Sequence, residues 1–135
     1  MSLFHIQQEN KSSGCGPACV AMLAGVSYQH ARETMFGDRK RGLRSYYPEL
    51  REALLELGAK PLAMPVRATR FETADHISIF GTKPSSDKKR WHWVIYDPFT
   101  CMLHDPSLPG PLAFKTSLNG RYRPFSRQAV KPRKS

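Results

Sequence analysis

The chain has 135 residues, with 21 Lys and Arg against 11 Asp and Glu, giving a formal charge of +10. That length suits one domain that buries roughly two thirds of its unfolded surface, so no disulfide or metal staple is needed. Three cysteines form no paired framework, no signal-like N-terminal segment is present, and no apolar run approaches the roughly 18 residues of a membrane span. Together these predict a cytoplasmic protein with reduced thiols and no transmembrane segment.

Met1 to Ile6 is short and apolar, and Phe4 and Ile6 suit an edge strand leading into Gln7-Gln8. A helix is expected from near Gly14 to about Leu23. Ser12, Ser13 and Gly14 can cap it, Pro17 sits in its first turn, where the missing N–H is not needed, and Gly25 stops it. Being apolar nearly all round, it belongs in the middle of a fold. Ser27 caps a second helix, Tyr28 to about Phe36, followed by Gly37 and a charged loop from Asp38 to Leu43. Tyr47 to Leu57 carries Leu50, Ala53, Leu54 and Leu57 at helical spacing, with Pro48 in the first turn and Gly58 as the cap.

Beyond Gly58 the pattern changes to short extended runs: Pro61 to Val66, His76 to Gly81, Trp91 to Tyr96 and Cys101 to His104. A polar loop, Thr82 to Arg90, and a hairpin turn, Asp97 to Thr100, separate them. Two further short strands are expected near Leu112 to Phe114 and Tyr122 to Phe125. Helices first and strands second predict an α+β domain over residues 1–125, followed by a basic disordered tail, 126–135.

The chemistry centres on Cys15. A cysteine at a helix N-terminus feels unsatisfied N–H groups and the positive end of the macrodipole, both of which favour the thiolate. Gly14 and Gly16 leave room beside the sulfur for a substrate carbonyl, whose developing oxyanion the Cys15 backbone N–H can meet. Gln8, or failing that Gln7, is placed to supply a second donor. A thiolate needs a base, and the base needs an orienting group. Of the five histidines, His5 is too near the terminus to be well positioned, His30 lies on an exposed helix face, and His76 begins a strand. His92 lies in Trp91-His92-Trp93-Val94, and the hairpin that follows brings Asp105 beside it. Trp91 and Trp93 can line a substrate groove or cover the core.

Gln8 to Ala21 (QENKSSGCGPACVA), Leu54 to Pro65, HISIFG, HWVIYD and LHDPS together resemble the C39 peptidase-like family of papain-like cysteine peptidases, in the order seen there. The resemblance spans residues 7–108 and implies a papain-like fold with helices packed on an antiparallel sheet. It also implies Cys15 as nucleophile, His92 as general base and acid, Asp105 as orienter and Gln8 as oxyanion donor. Gln8 stands one residue further from the cysteine than is usual in the family, and Gly14 occupies a position where Asp is common. No cofactor is implied, and the substrate would be a peptide or protein. Hydrolysis, transfer to a second nucleophile and glutamine deamidation would all use these residues.

Two other readings compete. Cys15 and Cys19 stand one helical turn apart, and Cys101 and His104 have a plausible ligand spacing, so a Cys3His zinc site can be counted. After Asp105 there are seven Lys and Arg residues and no carboxylate, a distribution that suits a silent module binding nucleic acid or an acidic partner. No nucleic-acid-binding motif accompanies that charge.

Overall fold

The apolar run after Gly14 forms helix α1 (Cys15–Ala24), buried on every side from Gly16 onward, as a stretch with no polar face must be. A computed structural model, which describes residues 3–9, 14–38, 45–83 and 91–133, packs it against α2 (Tyr28–Phe36) and α3 (Tyr47–Glu56). Gly25 ends α1 at φ 67°, where a side chain would be strained. Ser27 caps α2 by accepting the His30 N–H at 3.0 Å. In α3, Pro48 takes the first turn, and Leu50, Ala53 and Leu54 form the buried stripe. Ser12 and Ser13, expected as caps of α1, lie outside the described residues, and Gly14 holds the N-cap position without a side-chain cap.

The strands are β1 (Lys60–Pro61), β2 (Val66–Arg67), β3 (Ser78–Thr82), β4 (His92–Asp97), β5 (Met102–His104), β6 (Leu112–Ala113) and β7 (Pro124–Lys131). Among the described residues they pair antiparallel in the order β1-β7-β3-β4-β5-β6, with β2 also on β7. Alternation assigns the two faces. Ile79, Trp93, Ile95 and Val130 join Leu23, Leu50 and Leu54 in the core beneath α1 and α3. On the other face, Phe80, Val94, Tyr96 and Leu103 pack with Phe71 and with Leu118 and Tyr122 of α4 (Ser117–Tyr122). The expected α+β, papain-like arrangement of helices on an antiparallel sheet is therefore present, with a second, smaller layer behind the sheet.

Several expectations are corrected. Residues 3–8 form no strand; they run beside the segment after β5, where the Gln8 N–H donates to Pro106 O at 2.7 Å. Pro61 to Val66 is not one strand. Pro65 lacks the N–H a ladder needs, and the ladder with β7 forms at the two ends, β1 and β2. Tyr122 ends a helix rather than starting a strand, and Arg123 turns the chain at φ 55°. The segment expected to be a disordered tail from residue 126 is largely β7. It lies inside the sheet between β3 and the β1/β2 edge, with Gln128 and Val130 buried. The buried Gln128 amide is satisfied by Arg51 and by the carbonyls of Ala63 and Ala129, so a polar residue there does not interrupt the strand. The loops 39–44 and 84–90 lie outside the described residues. Among the described residues, no helix is long and apolar enough to cross a membrane.

Candidate active site

The site forms at one end of the sheet, where the N-terminus of α1 meets the start of β4 and the end of β5. The register Ile95 opposite His104 carries Asp105 to a place opposite Val94, on the same face as His92 and diagonal to it. Accordingly, His92 Nε2 lies 2.5 Å from Asp105 Oδ1. Cys15, partly exposed at the first position of α1, is within hydrogen-bonding reach of the same imidazole. With Nε2 committed to Asp105, Nδ1 is the nitrogen left for the thiol.

Burial alone would lower the His92 pKa. The hydrogen bonds to Asp105 and Cys15, and the negative charge each can carry, outweigh that effect and raise it to about 10. Asp105 is the counterpart. Burial would raise its pKa, but the His92 contact, then Tyr122 and Ser107, hold it well below the usual carboxylate range. Its oxygens accept from Tyr122 OH at 2.6 Å, from Ser107 Oγ at 2.7 Å and from Ser107 N–H at 2.9 Å. The result is a buried carboxylate surrounded by donors, fixing the His92 ring beside Cys15.

Ser107 and Tyr122 were not among the sequence candidates. Ser107 had a local signal, because an Asp two residues before a Ser commonly accepts that residue's N–H. Tyr122 had none, arriving from α4 seventeen residues downstream. The sequence reading also set His5 aside, yet it is well held: Nε2 lies 2.6 Å from Leu108 O and Nδ1 lies 3.2 Å from His104 Nδ1. Burial, then the neighbouring His5, lower the His104 pKa to about 4, so His104 is neutral at neutral pH. With the Gln8–Pro106 bond, His5 lays the N-terminal segment along the loop that follows Asp105. Gln8 is half-buried there with its Oε1 enclosed, whereas Gln7 is exposed.

The other candidates divide. Gly14 is buried at the N-cap, its carbonyl accepting the Ala18 N–H. At Gly16 the space expected for a substrate is filled: a Cβ there would lie 2.1 Å from Ser45 Oγ, so the glycine serves close packing. Trp93 is also corrected to a core residue, 2% exposed, donating Nε1–H to Ser45 O and packing edge-on against Tyr47. Trp91 keeps a surface position, 44% exposed. The counted zinc ligands do not converge. Cys19 is enclosed in the core, Cys101 is exposed on the β4–β5 turn, and among the described residues no three His, Cys, Asp or Glu side chains could hold a metal.

No protein-family model and no curated protein matches the sequence. Among solved structures, the chain is similar to a double glycine motif protease from an AMS/PCAT transporter, in complex with the leader peptide. The TM-score is 0.70 at 17% identity, over 97% of this chain and 92% of that one. The chain shares its α+β, papain-like fold with that protease. In this fold the residues gathered at the sheet end are Cys15, His92 and Asp105, with the Gln8 segment alongside.

Proposed function

We propose that the protein is a cysteine peptidase that cleaves a peptide or isopeptide bond through a thioester at Cys15. The observation that carries this reading is the position of His92, hydrogen-bonded to Asp105 and within reach of Cys15. In the resting site the imidazolium faces the thiolate. Sγ attacks the scissile carbonyl, and the oxyanion is met by the Cys15 N–H at the α1 N-terminus and by the Gln8 side-chain amide. His92 gives its proton to the leaving amine as the C–N bond breaks, leaving a thioester. Neutral His92 then takes a proton from water as its oxygen attacks, and the C–S bond breaks to restore the ion pair. Asp105 stays ionised throughout and holds the ring. A peptide substrate is supported by the leader peptide bound to the structurally similar protease.

The test is alkylation by iodoacetamide at pH 7, read by mass spectrometry for all three cysteines. Cys15 is expected to react fastest, and His92→Ala to slow it roughly tenfold or more without changing Cys101. Cys15→Ala should remove cleavage of a mixed peptide pool while leaving thermal unfolding unchanged. Equal Cys15 rates with and without His92 would overturn the reading.

A further inference from the structure

One residue from His92 in the chain, the surface carries an aromatic cluster that the acyl-transfer chemistry does not use. Trp91 is 44% exposed and Tyr46 48% exposed, and their rings meet edge to face at 5.7 Å. Phe125, half-buried, lies 5.2 Å from Trp91, and Lys83 Nζ sits 5.2 Å from the centre of the Phe125 ring. Two chain connections tie the cluster to the reacting atoms. Trp91 immediately precedes His92. Tyr46 immediately follows Ser45, whose side chain lies against Gly16, the residue after Cys15.

Core demands do not explain this exposure. Trp93, two residues on, already fills the core position beneath Ser45, and Trp91 meets it only edge-on at 6.2 Å. Tyr47, likewise, sends its OH to Ser126 at 2.7 Å and packs inward, leaving Tyr46 outward. Each of the two neighbouring pairs therefore contributes one ring to the core and one to the surface, and the two surface rings meet. Adjacent exposed aromatic side chains next to a reactive group are a surface suited to binding an apolar partner.

We infer that Tyr46, Trp91 and Phe125 form a specificity pocket that takes one aromatic or large aliphatic side chain of the peptide substrate. The inference rests on the peptidase reading for the identity of its occupant. The chain segment carrying that side chain runs past Cys15, so occupancy of the pocket fixes which carbonyl faces Sγ. Trp91 and Tyr46 act here as specificity residues, not as participants in bond breaking.

The experiment compares two alkylating probes of the same warhead chemistry, iodoacetamide and N-phenethyl-iodoacetamide, on the full chain. Wild type is expected to favour the phenethyl probe at Cys15 by roughly fivefold or more over the ratio seen at exposed Cys101, which serves as the internal reference. Trp91→Ala and Tyr46→Ala should bring the ratio at Cys15 down to that of Cys101 with the plain iodoacetamide rate retained. Trp91→Phe, which keeps a ring and guards against a folding defect, should preserve much of the preference. A wild-type ratio equal to that of Cys101 overturns the pocket, as does a preference that survives in both alanine variants. The peptidase reading fails separately, when plain iodoacetamide reacts at a rate independent of His92.

Discussion

Asp105 shows how a charged group is kept inside this protein: four hydrogen-bond donors from His92, Tyr122 and Ser107 surround its carboxylate. Its ion pair gives a titration whose sign can be worked out. His92 ordinarily loses its proton near 6.5 and here holds it to about 10. Below pH 6.5 both folded and unfolded chains carry the proton, and the interaction stabilises in full. Between 6.5 and 10 only the unfolded chain releases it, so stability is lost as pH rises. Asp105, depressed from 3.8, contributes above that value and loses its contribution as pH falls below it. The Tm advantage of wild type over His92→Gln should therefore be greatest from about pH 4 to 6.5 and shrink toward pH 10; a difference that stays flat would contradict the pairing. Tyr122→Phe keeps the ring but removes the donor at 2.6 Å, leaving a buried carboxylate oxygen short of a partner. The expected cost in denaturant unfolding is about 1–3 kcal/mol, and it should shrink when Asp105 is also replaced by Asn. The His92–Asp105 contact was legible in the sequence because a tight hairpin fixes which residues face one another across two strands. Tyr122 was not, since no short-range pattern relates a helix end to a carboxylate seventeen residues earlier.

At the scale of elements, the close approach of α1 to the chain entering α3 is set by Gly16 and Ser45. Gly16→Ala would place a methyl 2.1 Å from Ser45 Oγ and 2.8 Å from its Cβ, so one of the two segments must move. A loss of about 1–3 kcal/mol is expected, the range for overpacking a filled core. Ser45→Gly should restore most of it in the double variant, because the next atom, Leu50 Cδ2, lies at an ordinary 3.6 Å. Additive losses in that cycle, measured by chemical denaturation, would rule out this contact as the cause. β7 makes the opposite case. Its sequence, PFSRQAVK, has few strongly strand-forming residues and a glutamine at a buried position, and it reads as tail until its neighbours are known. Gln128 is acceptable inside only because Arg51 of α3 and the Ala63 carbonyl reach it, and those partners lie more than sixty residues away in sequence. Truncation after Phe125 would leave β3 with an unpaired edge and β1 and β2 with no partner. We expect that variant to be insoluble or unfolded by circular dichroism, whereas truncation after Arg133 should fold. The helices were legible because their caps and apolar spacing are local. The short edge strands and β7 were not, because their pairing is long-range.

At the scale of the whole molecule, the +10 charge is placed so that it opposes folding slightly and favours one kind of encounter. Lys60 and Lys131 stand directly opposite each other in the β1–β7 register, and β7 also carries Arg127. Like charges in opposed positions repel, and a chain of this net charge repels itself. Screening reduces both effects, since the Debye length falls to about 8 Å at physiological ionic strength. Modest salt should therefore raise the Tm of the protein. Its effect on substrate capture has the opposite sign. The aromatic cluster that includes Trp91, the residue before His92, has a cation at its edge, Lys83, and the basic charge extends over the part of the chain beyond Asp105. A peptide with acidic residues flanking its scissile bond should arrive faster than a basic one of the same core sequence, because such steering acts on the association rate. In measurements of kcat/KM for a matched acidic and basic pair, the acidic peptide is expected to lead at low salt and the gap to close as salt is added, over the same range in which Tm climbs. A preference that persists unchanged at high salt would point to a specific contact with the acidic residue. No preference at any salt would mean that the positive surface faces away from the cleft, and the charge would then have no part in choosing the substrate.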